Sequence, residues 1–534
     1  MRTLVVGLLL WSFLAVPAFA TGTPTGAQAQ VSRLIEGWSA GLFVLKDAPP
    51  LHRAEEVAAF YRTRGFAPAW TDAQGPLPAA GRLLASLKAS PSHGLAPRFY
   101  HLKALKDAFS LPGAFEPDSL AALDILLTDA FITYAGDLRD GHAPPEGTNE
   151  HREASDAPLL ERALASGSVG KALESLAPWD FRYQGMRKAL ARYRAIAREG
   201  GWPRVPPGLE PGARGPGVSA LKKRLALTDG FPLSADGGDL FDDALVRALK
   251  GFQRRHGLPP RGLLDEATLQ ALNVPMEDRI LQIAVSLERL RWLLPRLGPR
   301  YVLVNIPDFT LTLVEDNRKV ATMRVVTGKL YAQTPVLNAR ITELVLNPSW
   351  FVPRSIALEE ILPKVRENPW YLKVFDMKVL QGPLKEARVV DPWKVDWESV
   401  TEKNFPYTLV QGPGPTNPLG RVKFILPNPY GVYMHDTPSG ELFQERVRTF
   451  SHSCIRLEKP LVLARHLLGG SNGWGKVRLQ EAIARGEQRT LRIKHPLDVY
   501  IVYLTAWVEE DGTLHFRDDI YSLDAPLARA LGLR

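Results

Sequence analysis

FSHSCIRLEKP, residues 450–460, sets one thiol between a histidine and an arginine. Cys454 is the one cysteine in 534 residues, with His452 two positions before it and Arg456 two after. MHDTP, residues 434–438, places a second histidine, His435, nineteen residues upstream. The surrounding pattern is β. Residues 301–306 and 311–314 are rich in β-branched and aromatic side chains, Glu315-Asp316-Asn317 reads as a turn, and 320–326 returns as a hairpin. Residues 344–346, 422–426 and 432–434 are further strands, and 499–508 with 513–516 form a late hairpin about Glu509-Glu510-Asp511-Gly512. Between 355 and about 404 the pattern turns helical and proline-broken. An insertion of that kind inside a β domain forms a lid or one wall of a cleft, or serves packing alone.

An unperturbed thiol has a pKa of roughly 8.5, so only a few per cent is thiolate at neutral pH. An adjacent imidazole accepts its proton or stabilises the thiolate. If residues 451–456 are extended, His452 and Cys454 point the same way, while His435 approaches from a neighbouring strand. Spacing alone does not rank the two. Backbone N–H groups near Cys454 are candidate oxyanion donors. Arg456 suits a substrate carboxylate held in a bidentate fork, or equally a structural salt bridge. His435, His452 and Cys454 also reach the ligand count of a catalytic zinc site, but without the tight spacing such sites show.

The N-terminus reads MRTLVVGLLLWSFLAVPAFA. A positive Arg2, an apolar run over 4–16 and Ala18-Phe19-Ala20 predict a secretory signal over 1–20, cut after Ala20. No later run reaches about 18 uninterrupted apolar residues, so no membrane span is expected in the mature chain. In an oxidising compartment cysteines usually pair, and a lone thiol risks oxidation. A buried inert cysteine is the ordinary alternative. Here the polar, histidine-rich flanks favour a working thiolate. The net charge of +9 is modest for this length and suits weak attraction to an anionic polymer. No basic stripe with interleaved aromatics points to nucleic acid.

Residues 30–200 carry helical periodicity, as in AEEVAAFY (54–61) and LAALDILL (120–127), and read as a helical scaffold without chemistry of its own. The stretch GWPRVPPGLEPGARGPG, 201–217, is a linker or domain edge. Beyond it Val218, Leu221 and Leu225 share one helical face, and Phe241, Leu245, Leu249 and Phe252 share another. Asp265 is placed to cap a third helix bearing Leu269 and Leu272. Three short helices around one small core follow.

The wording of two regions carries a resemblance. FDDALVRALKGFQRRHGLPPRGLLDEATLQAL, within 212–275, resembles the peptidoglycan-binding module found beside many cell-wall enzymes, with Arg261-Gly262 where the module usually has Asp-Gly. HDTP followed by RTFSHSCIRL resembles the active-site block of the L,D-transpeptidase family. NPSWFVPRSIA (347–357), QGPGPTNPLGRVKF (411–424) and LPNPYGVYMHDTP (426–438) are similar to its long Gram-negative branch, as is the order of scaffold, binding module and catalytic block. The resemblance implies a multidomain protein. An α-helical N-terminal scaffold and a small three-helix peptidoglycan-binding module precede a mainly β L,D-transpeptidase catalytic domain over 300–470, with a helical lid insertion at 355–404. Residues 471–534 are then a C-terminal extension with a β-hairpin packing on that domain. It further implies Cys454 as nucleophile and His435 as general base, with His452, Ser453 and Arg456 in support. The chain would be periplasmic. The partners implied are peptidoglycan stem peptides and glycan, with other cell-wall synthesis enzymes possible, and no nucleic acid. No cofactor and no metal is implied. Cys454 would attack the third residue of a tetrapeptide stem, release the terminal D-alanine, and pass the acyl group to the side-chain amine of a second diaminopimelate. Acylation by carbapenems is also implied.

The family's glycine before the nucleophile is Ser453 here. If that position needs φ > 0, serine costs about 1–2 kcal/mol or the loop shifts. Two other outcomes stay open. One is a thiol hydrolase of the same fold, an L,D-carboxypeptidase or amidase, in which water resolves the thioester. The other is a wall-binding scaffold with a decayed catalytic block.

Overall fold

In the computed structural model, which describes residues 26–39, 50–110, 116–146, 155–232, 238–469 and 474–534, the alternating runs after residue 300 become strands β1 (Tyr301–Asn305), β2 (Thr310–Glu315), β3 (Arg318–Gly328) and β4 (Leu337–Leu346). The expected signal segment 1–20 lies outside the described residues. The β2–β3 turn is where it was expected: Asp316 and Asn317 both have positive φ, 51° and 60°, the conformation a tight hairpin demands. Four insertion strands follow: β5 (Trp350–Phe351), β6 (Met377–Gln381), β7 (Arg388–Val390) and β8 (Tyr407–Gln411). Then come β9 (Val422–Ile425), β10 (Met434–His435), β11 (Thr449–Ser451), β12 (Ile455–Leu457) and β13 (Arg489–Val502).

Nine strands form the main sheet in the order β11-β3-β12-β10-β9-β4-β13-β1-β2. β3 pairs with β2 through its first half and with β12 through Val325 and Val326, so the sheet closes on itself. Val302, Val304, Leu311, Leu313, Val325, Leu344, Leu346, Phe424, Met434, Ile455 and Leu457 point inward to one core. Helix Pro460–Leu468 adds Leu463 and Leu467 to that core, and Lys476–Ala484 adds Leu479. β13 lies between β4 and β1, antiparallel to the first and parallel to the second. Residues 471–534 are therefore not only an extension, because 489–502 supply an interior strand of the sheet. The register shifts between Arg492 and Leu497, around Pro496. Proline cannot donate to the ladder and is tolerated at such irregularities. That interruption hid the first half of the strand.

The insertion has its own core of Val352, Ile361, Val365, Leu372, Val379, Trp397, Phe405 and Leu409. Its main helices lie between 354 and 374, with 3-10 turns at Pro392–Lys394 and Glu402–Asn404; a four-stranded sheet, β5-β8-β6-β7, completes it. The helical, proline-broken insertion expected at 355–404 thus also contains strands, and is bounded by β5 and β8.

The helical module forms as expected. Helices Pro216–Asp229, Asp243–Arg255 and Glu266–Leu272 enclose Val218, Leu221, Leu225, Leu245, Leu249, Phe252 and Leu272. Asp242 and Asp265 cap the second and third helices through the backbone N–H groups of Leu245 and Thr268. Gly262 takes φ 74°, and a Cβ there would meet Val246 Cγ1 at 2.7 Å. The turn requires its glycine, while the unusual Arg261 beside it is exposed.

Two compact units divide the chain. The first contains residues up to 88 with 97–135 and 154–172. Its Asp124 is buried and accepts from Tyr61, Thr71 and the backbone of Ala69 and Trp70. Helix Pro117–Asp140 is long and apolar enough to cross a membrane, and 94% of that stretch is buried within the protein. The second unit contains 89–96, 136–153 and 173–534, including the module and the main sheet. Within the helical region expected as one scaffold over 30–200, helix Phe181–Arg198 groups with the second unit, where Gly185 lies so close to Val508 that a Cβ would stand 2.9 Å from its Cγ1.

Candidate active site

β10 and β12 are parallel neighbours with Met434 opposite Ile455 and His435 opposite Arg456. β9 brings Lys423 opposite His435 on the other side. Strand side chains alternate between faces, so Phe424, Met434, Ile455 and Leu457 enter the core. Lys423, Tyr433, His435 and Arg456 emerge on the opposite face. Cys454, one step before Ile455, joins them. From strand spacing and rise, Cys454 and His435 are diagonal neighbours about 8 Å apart at Cα.

The loop before β12 is held at several points. Lys329 N–H donates to the Ser451 carbonyl at 2.8 Å, Thr334 Oγ1 donates to the Ser453 carbonyl at 2.8 Å, and Ser451 Oγ donates to the Cys454 carbonyl. Gly328 lies under this loop, where a Cβ would stand 2.0 Å from the Ala332 carbonyl oxygen. Ser453 has φ 74°, so serine occupies the left-handed conformation that the sequence left in question. The Cys454 N–H donates to no backbone acceptor among the described residues.

The two histidines part company here. His435 is buried, and its Nδ1 donates to the Asp436 carbonyl at 2.6 Å. That bond makes Nδ1 the protonated nitrogen and puts the lone pair on Nε2, and the Pro418 backbone also acts on the ring. Burial, then the Arg456 charge, pushes its pKa down to about 3. His452 instead turns toward Glu360 of the insertion, with Nε2 3.0 Å from Oε1. The three candidate zinc ligands therefore do not converge.

Sequence reasoning missed Tyr433 and Lys423. Tyr433 is the residue directly across from Cys454, since Ile455 N–H donates to the Tyr433 carbonyl at 3.1 Å. The Tyr433 side chain pulls the thiol's pKa down, and the thiol helps push that of the Tyr433 hydroxyl up. Lys423 Nζ sits 3.7 Å from the centre of the Tyr433 ring, and that ring is 5.6 Å from the His435 ring. The available signal was parity: Tyr433 and His435 share a strand face. Burial raises the Cys454 thiol above its ordinary pKa, against the opposing pull of Tyr433, Lys423 and Arg456. Desolvation favours the neutral form of both thiol and imidazole. Both directions favour a neutral resting pair. Arg456 makes no ion pair among the described residues, and its buried Nε has no hydrogen-bond partner. Burial lowers the Arg456 pKa, opposed by the nearby Cys454, Glu360 and Glu441.

A half-buried cysteine at the start of one strand, a buried histidine on the next and an arginine beside them form the kind of arrangement that thiol chemistry uses. Comparison with known proteins gives three domain matches. Residues 299–479 match the model described as "L,D-transpeptidase catalytic domain", 214–272 match "Putative peptidoglycan binding domain", and 55–190 match "Scaffold domain". A "Putative L,D-transpeptidase" of Haemophilus influenzae is 34% identical over 223 residues, which is 42% of this chain and 44% of that protein. The chain thus spans less than half the length of that relative. A crystal structure of an L,D-transpeptidase from Xylanimonas cellulosilytica is 16% identical, covering 56% of this chain and 100% of its own, at a TM-score of 0.19. The chain carries an L,D-transpeptidase catalytic domain, joined to a peptidoglycan-binding domain and a scaffold domain.

Proposed function

We propose that the protein is a peptidoglycan L,D-transpeptidase acting outside the cytoplasm through a thioester on Cys454. The observation that carries the reading is the shared sheet face of Cys454, Tyr433, His435 and Arg456. His435 Nε2 takes the thiol proton as sulfur attacks the donor's carbonyl carbon. A carbon–sulfur bond forms, the peptide bond to the terminal D-alanine breaks, and His435 returns the proton to the departing amine. Because both groups are neutral at rest, the ion pair forms during attack. Tyr433 O–H then donates to the developing negative charge on sulfur, and the Lys423 and Arg456 cations favour that charge. The Cys454 N–H is placed to donate to the tetrahedral oxyanion. Arg456 receives a carboxylate of the stem, a pairing that suits its planar fork. An acceptor amine resolves the thioester to give a link between two diaminopimelates.

Exposure to meropenem followed by intact-mass spectrometry tests the first half. An adduct in the wild type, absent in Cys454→Ala, is expected; no adduct in either overturns the reading. Incubation with disaccharide-tetrapeptide tests the second half. Dimers are expected, and tripeptide without dimer would make the enzyme a hydrolase.

A further inference from the structure

Glu360 lies in a π-helical turn, Ala357–Ile361, within the first helical stretch of the insertion. Such turns re-aim side chains and occur often at functional sites. Glu360 Oε1 lies 3.3 Å from Lys329 Nζ and 3.0 Å from His452 Nε2. The same Lys329 Nζ is 5.4 Å from the centre of the Tyr331 ring, and that ring is 6.4 Å from the His452 ring. A primary ammonium therefore rests among a carboxylate, an aromatic face and an imidazole, beside the loop that carries Cys454.

Stability does not explain the arrangement. Glu360 and Lys329 are partly exposed, and pairs of that kind contribute about 0–1 kcal/mol. Tyr331 is 74% exposed, so its ring is not spent on packing. His452 Nε2 is buried and within ion-pair range of Glu360 but out of hydrogen-bond alignment, which leaves it spare capacity. Carboxylate and aromatic face together are the chemistry that recognises an ammonium group.

We propose that Glu360, Tyr331 and His452 form the acceptor site of the enzyme, selective for a side-chain primary ammonium, and that Lys329 is a built-in occupant which the acceptor displaces. The inference rests on the transpeptidase reading above. Glu360 holds the acceptor's ammonium, and one proton leaves it for the His452 imidazole. The free amine attacks the thioester carbonyl; the carbon–nitrogen bond forms as the carbon–sulfur bond breaks. The second amine proton passes through His435 to the departing sulfur, regenerating the thiol.

The test uses the full chain with disaccharide-tetrapeptide as donor and disaccharide-tripeptide, which serves only as acceptor. Dimer formation is measured against acceptor concentration, with acylation by meropenem measured separately on each variant. E360Q is expected to raise the acceptor KM about tenfold, the loss of one charge-assisted hydrogen bond. K329M is expected to shift KM the opposite way, lowering it about threefold by removing the competitor. E360D recovers most of the E360Q loss. If E360Q and K329M shift KM in the same direction, or neither shifts it, the pair is a structural clasp and the acceptor site is wrong. If the wild type forms no meropenem adduct, the transpeptidase reading itself fails. An adduct without the opposed KM shifts sinks only the acceptor site.

Discussion

Replacing Tyr433 by phenylalanine removes one oxygen and tests which group supports the sulfur. With its side chain acting on the thiol and Lys423 on its ring, Tyr433→Phe should slow carbapenem acylation at least tenfold, the effect of losing a hydrogen bond to a charged group. Stopped-flow absorbance measures it, and a rate within twofold of wild type would contradict the role. The neutral resting pair has a pH signature. His435 titrates near 3, so the acylation rate should show no imidazole step between pH 5 and 7. The same depression bears on stability. The folded value lies below the ordinary 6.5, so the unfolded chain binds more protons between the two. The His435 contribution is full above about 6.5 and is lost as pH falls toward 3, by at most about 1.4 kcal/mol per pH unit. Urea unfolding at pH 7 and pH 5 should therefore differ less in His435→Gln than in the wild type. Ser453→Gly should raise stability by about 1 kcal/mol by relieving the left-handed serine, read as a shift in melting temperature. At this scale Cys454, His435 and Arg456 were legible because they sit close in sequence or in a recognisable block. Tyr433 was legible only by strand parity. Glu360 was not legible, since nothing in a distant helical turn announces which loop it meets.

Elements were readable where one period ran unbroken. β1 to β3 are continuous runs rich in Val, Leu and Thr, with a turn whose residues tolerate positive φ. The third module helix was readable from its cap, and Asp265→Ala should cost about 1 kcal/mol, seen as faster amide exchange over 266–272. β13 was half hidden by Pro496, and β6 by the charged and proline-rich run in which it lies. In both, pairing with neighbours distant in sequence overrides weak local preference.

For the whole molecule, the module and the main sheet belong to one compact unit. His256 stacks on Phe252 of the module at 3.8 Å and on Phe516 of the hairpin Ala506–Val508/Leu514–Phe516 at 5.6 Å. Phe252→Ala should cost about 3–5 kcal/mol of module stability and reduce sedimentation with purified peptidoglycan, while the meropenem adduct still forms. The order of the domains was plain from the sequence; the division of the scaffold between units was not, because it depends on which helix finds which neighbour. The position of β13 also sets a timetable. A ribosome making this chain releases Cys454 and His435 well before the strand that bridges β4 and β1. Until residue 502 has emerged the barrel stays open and its thiol pocket unassembled. A nascent or prematurely terminated chain should therefore form no meropenem adduct.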